Sequence, residues 1–169
     1  AALQMMQSEK VDEARKLIQE KMSTEDPKIQ AMAIRHLTEQ QEILTNDLLI
    51  EFLENPSEII SNSALDVAAK RKNQELIPAI ISNLSDPKTL PTTRYTLQQF
   101  SDDFVIPELI STLEHEHIDI DLLRGIVVIL KVYRSTETID ALIGLLERKE
   151  KRGLGEIIDT LLVMARQEL

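Results

Sequence analysis

The sequence predicts an all-α fold, an α-α superhelix (solenoid) of about five two-helix repeats, and three observations predict it. The first is a helix-forming palette: 43% hydrophobic, mostly aliphatic, with two Tyr, three Phe, no Trp and only four Gly in 169 residues. The second is a period. Short amphipathic segments end on an apolar residue before a polar turn at Met22, Leu53, Leu84, Leu113 and Leu146, in steps of 31, 31, 29 and 33 residues. The third is proline placement, since Pro78 and Pro107 lie 29 residues apart and tolerate only the first turn of a helix.

Residues 1–169 are read as one domain, with units at 10–43, 44–73, 74–102, 103–135 and 136–169. Residues 1–9, "AALQMMQSE", are read as the remnant of a preceding helix, in a chain cut from something longer or processed. The first helices of the units are "LIQEKMSTEDP", "LIEFLENP", "LIPAIISNLSDP", "VIPELISTLEHEH" and "IDALIGLLERKE". The second helices are "KIQAMAIRHL", "IISNSALDVAAK", "TLPTTRYTLQQF", "IDLLRGIVVILKVY" and "LGEIIDTLLVMAR". Apolar residues recur three and four apart, as in Ile29, Ala33 and Leu37, or Leu123, Ile126, Val127 and Leu130, so each helix has a stripe to bury. No unit can bury its stripe alone, which is why repeats stack.

The turns carry their own chemistry. Asp26-Pro27, Asn55-Pro56 and Asp86-Pro87 each place a side-chain acceptor at an expected N-cap and a proline, which needs no donor, at the first helical position. Glu58, three after Asn55, would complete a capping box.

"DPKIQAMAIRHL" and "LIPAIISNLSDP" resemble HEAT-like repeats of the armadillo-type superhelix, including the short variety of phycobilin-lyase-like proteins, over residues 10 to 168. Ile29-Gln30 stands where the short repeat would carry Val-Arg, and no unit ends its second helix in Ala-Leu-Gly. The landmarks of tetratricopeptide and ankyrin repeats are missing. The resemblance implies a stacked fold and an extended binding surface. It also implies alternatives, because HEAT-like proteins include bilin lyases and DNA glycosylases.

Nineteen Lys and Arg against twenty-nine Asp and Glu give a net charge of −10, which repels phosphate backbones and makes nucleic acid a poor partner. A glycosylase would need a basic groove and aromatic residues to hold an opened duplex, so an acidic chain without Trp disfavours it further. The absence of cysteine excludes disulfides and thiolate chemistry. The longest apolar run, "GIVVIL" from Gly125 to Leu130, falls far short of the roughly 20 residues of a membrane span. The expected setting is cytoplasmic, or the cytosolic side of a membrane protein such as a transporter. The expected function is a non-catalytic module that scaffolds or binds a protein or peptide partner, without cofactor, metal or catalytic residues.

Candidate residues are weighed on that basis. "EHEHIDID", Glu114 to Asp121, has the composition of a metal site, but His115 and His117 lack the i, i+4 spacing of a helical zinc pair. Asp119 or Asp121 is expected to cap the next helix instead. His36, beside Leu37, is read as structural. Lys70-Arg71-Lys72, and Arg148-Lys149 with Lys151-Arg152, are read as helix C-terminal complements and solvated loop. "RGLGE", Arg152 to Glu156, has Gly-x-Gly but lacks the third glycine and the preceding strand of a dinucleotide cradle, and is read as a turn. The possible partner-binding face is a ladder of Arg94, Gln98, Arg124 and Lys131 on two successive second helices, suited to an acidic or polar segment. The plainer alternative is a polar face with ion pairs between units.

Overall fold

The computed structural model describes residues 23–39, 41–115, 117–133, 135–147 and 154–166, together with 13, 16, 17, 20 and 21. Among the described residues the chain is all-α. Its helices are α1 (Pro27–His36), α2 (Asn46–Leu53), α3 (Glu58–Arg71), α4 (Ile77–Ser82), α5 (Leu90–Leu97), α6 (Asp102–Leu113), α7 (Ile120–Leu130), α8 (Thr136–Glu147) and α9 (Leu154–Arg166). Single 3-10 turns at Gln74–Leu76 and Asn83–Ser85 flank α4. No helix among the described residues is long and apolar enough to cross a membrane. Met22, Glu116, the expected helical remnant at 1–9 and the basic run at 148–152 lie outside the described residues.

The chain forms two compact units, one running up to Arg71 and the other starting at Lys72. In the first, α3 packs on both α1 and α2. Ile34, Leu37, Leu44, Leu49, Leu53 and Leu65 are fully buried there, each removal from water stabilising by about 1.5–3 kcal/mol. In the second unit, α4 with its 3-10 turn packs on α5, α6 on α7 and α8 on α9. Successive pairs also touch, α4 on α6, α6 on α8 and α7 on α9, while the Asn83–Ser85 turn packs on both α5 and α7.

Local chemistry explains most helix starts. Asp26 caps α1, accepting from the Lys28 amide at 2.9 Å with Pro27 in the first turn. Thr45 caps α2 through the Leu48 amide at 3.3 Å. Three expectations need correction. Asn55 accepts from the Ser57 amide at 2.9 Å, closing a turn ahead of α3, which starts only at Glu58, so Pro56 lies outside the helix and there is no capping box. Asp86 likewise accepts from the Lys88 amide at 2.9 Å, and α5 starts at Leu90, with Pro91 in its first turn. An Asx side chain bonded two residues on serves a free-standing turn as well as a cap, and here the turn wins.

The third correction is Pro107, which sits inside α6 and not in its first turn. The helix starts early, with Ser101 as an N-cap that makes no side-chain bond to it and with the carboxylates of Asp102 and Asp103 favouring its positive end. The carbonyl that proline deprives of a donor belongs to Asp103, an exposed residue, so water can take that bond.

Lys72, directly after α3, has φ 52°, the one non-glycine in the left-handed region among the described residues. An L side chain there costs about 1 kcal/mol. Lys72→Gly should stabilise the protein by about 0.5 kcal/mol, read as a small rise in Tm; a fall would mean that the lysine side chain contributes more than its backbone costs.

Candidate functional site

The four residues of the expected binding face all lie in the second unit. Arg94 is exposed on α5 and Gln98 is that helix's C-cap; Arg124 is exposed on α7 and Lys131 is its C-cap. Arg124 is already engaged. Its Nε donates to Glu156 Oε1 on α9 at 2.7 Å, and a terminal guanidinium nitrogen donates to Asp121 Oδ1 at 3.4 Å. The bond to Glu156 holds the guanidinium above its ordinary pKa. The Glu156 carboxyl is held below its own, first by its backbone amide in the first turn of α9 and then by Arg124. Among the described residues no carboxylate pairs with Arg94 or Lys131.

In "EHEHIDID", Asp119 caps α7, its Oδ1 accepting from the amides of Asp121 at 2.9 Å and Leu122 at 3.1 Å. Asp121 turns instead to Arg124. His115 and His117 are exposed, and among the described residues no three His, Asp or Glu side chains are grouped as metal ligands. His36, at the end of α1, is exposed at the rim of an apolar hollow of about 300 Å³ over Ile29, Met32 and Ala33. Gly155 lies in the first turn of α9, not in a loop.

A larger feature was not read from the sequence. A groove of about 670 Å³ runs along α6 to the start of α8. Its floor is apolar: Ile106, Pro107 and Ile110. Its rim is acidic: Asp102 and Asp103 at one end of α6, Glu114 at the other, and Glu137 in the first turn of α8. Two hydroxyls, Ser111 and Ser135, complete the lining, and among the described residues no Lys, Arg or His takes part. Asp103, Pro107, Ile110 and Glu114 fall at i, i+4, i+7 and i+11, one face of a helix, a signal the sequence did contain.

The groove's electrostatics are built in locally. The Ser135 side chain, and then the backbone amide of Glu137, hold the Glu137 carboxyl below its ordinary value, so it is charged at neutral pH. Near Asp102, the Tyr133 hydroxyl is buried and has no hydrogen-bond partner among the described residues. Burial pushes this phenol up to about 12, with the negative Asp102 adding to the effect. Tyr133 therefore stays neutral.

No family model matches the chain, and no curated protein matches it.

Proposed function

We propose that this protein is a non-catalytic interaction module, a superhelix of HEAT-like two-helix repeats that binds a protein or peptide partner along its surface. The observation that carries this reading is the groove along α6 and α8: an apolar floor open to solvent, with charges on its rim to set partner and register. The packing of α4 on α6, α6 on α8 and α7 on α9 supports the superhelix, because stacked repeats contact the matching helices of their neighbours. A second site on the same module is supported by Arg94, exposed on α5 without an ion pair among the described residues.

The test is capture from native lysate on immobilised protein, followed by hydrogen exchange on each reconstituted complex. A partner retained in stoichiometric amount, with slowed exchange confined to one line of helices, is the expected result. Slowing along α6 and α8 selects the groove. Slowing along α5 and α7, together with weaker capture by Arg94→Glu, selects the arginine face. Recovery of no stoichiometric partner would sink the interaction reading.

A further inference from the structure

The groove's chemistry narrows what it would accept. Its floor runs along one face of α6 from Asp103 to Glu114, about 16 Å at the helical rise, or about three turns of a docked helix. Ile106, Pro107 and Ile110 offer apolar contact only in the middle of that length, and the carboxylates stand at both ends and across on α8. An acidic partner segment would meet carboxylates wherever it left the floor, and a nucleic acid would be repelled along the whole of it. A segment with apolar side chains on one stripe and Lys or Arg on both flanks satisfies the floor and the rim together.

Resting on the reading of the protein as an interaction module, we infer that the α6–α8 groove docks a basic amphipathic helix of a partner protein, its apolar stripe on Ile106, Pro107 and Ile110 and its cations on Asp102, Asp103 and Glu137. The carboxylates steer the encounter and fix direction; the floor supplies the desolvated contact that holds the complex.

The probe is a labelled synthetic helical peptide with Leu at every third or fourth position and Lys on the flanks, titrated into the full chain beside a twin with Glu for Lys. Fluorescence anisotropy should show saturable binding of the Lys peptide, weakened by salt as the charges are screened, and none of the Glu twin. Neutralising the rim with Asp102→Asn, Asp103→Asn and Glu137→Gln together should cost roughly tenfold or more in affinity. A variant with the same change of charge on α2 and its C-cap, Asp47→Asn, Glu51→Gln and Glu54→Gln, should bind like the parent. All six of these carboxylates are exposed, and a matching circular dichroism spectrum checks that each variant folds.

Equal loss in the two variants would show attraction by net charge alone and overturn the inference, as would equal binding of the two peptides or no binding of either. The interaction reading would survive those results if a captured native partner slowed exchange elsewhere, for example along α5 and α7. It would fall only with the capture experiment.

Discussion

Gly125→Ala should destabilise the protein by about 2 kcal/mol or more, although alanine is the better helix former by about 1 kcal/mol. Gly125 is buried in α7, with no left-handed backbone to require glycine. What it supplies is room. A Cβ built on it would lie 2.8 Å from both the carbonyl carbon and the Cβ of Leu84, and closer still to the Leu84 carbonyl oxygen. Those atoms cannot simply step aside. Leu84 is 2% exposed, and its 3-10 turn is tied down: Thr89 Oγ1 donates to the Asn83 carbonyl at 2.8 Å and the Asn83 side-chain Nδ2 to the Ala79 carbonyl at 3.0 Å.

The added methyl therefore has to push α7 away from the Asn83–Ser85 turn, opening the core around Ile126 and Leu130. Thermal unfolding should show a fall in Tm of about 5 °C or more. Gly144 provides the matched comparison. It lies inside α8 with nothing within 4 Å of a built Cβ, so Gly144→Ala should raise stability by about 0.5–1 kcal/mol through helix propensity alone. Equal rises for the two alanines would mean that the close approach at Gly125 does not exist.

What could be read in advance was whatever depends on neighbours in sequence. The ends of α2 at Leu53 and of α6 at Leu113 follow from apolar periodicity meeting a polar turn. The caps at Asp26 and Asp119 follow from an acceptor two or three residues ahead of a free amide. The same reasoning failed at Asn55 and Asp86, because an identical side-chain bond closes a turn without opening a helix. It failed at Pro107 because the cost of an interior proline depends on whether water can reach the orphaned carbonyl, a matter of burial.

The close approach at Gly125 and the α8 side of the acidic groove were beyond such reasoning. The first depends on the backbone at Leu84, and the second on Glu137 standing beside α6. Of the expected arginine ladder, the sequence could place Arg94 and Arg124 on successive second helices. It could not show that Glu156, on α9, would bind one of them.

Arg71 is the case with the most at stake. In sequence it is the middle of a basic triplet at a helix end; in the first unit it is a fastening. Its Nε donates to the Thr38 carbonyl at 2.8 Å and its terminal nitrogens to those of Leu44 at 2.5 Å and Leu37 at 3.1 Å. Leu37 and Thr38 follow the last turn of α1, where carbonyls lack intrahelical donors and the helix dipole is negative, and Leu44 precedes the cap of α2. One planar fork thus satisfies three acceptors on either side of the α1–α2 connection and ties it to the end of α3. Burial draws the guanidinium below its ordinary pKa, with Glu39 opposing, yet arginine remains charged at any working pH.

Arg71→Met keeps much of the stem's apolar contact and removes every donor. It should cost about 3 kcal/mol, because three charge-assisted bonds are lost and water re-enters only part of the site. Arg71→Lys keeps the charge without the fork, reaches one or two of the carbonyls, and should fall between, at about 2 kcal/mol. Urea unfolding should rank parent, Lys and Met in that order, and in native-state hydrogen exchange the amides of 37–45 should lose more protection than those inside α3. If lysine matched arginine, charge near the end of α1 would be the operative interaction and the fork would be incidental. A loss in Met spread evenly over α1, α2 and α3 would show that the unit opens as one body, with Arg71 a general contributor to its stability and not the fastening of one connection.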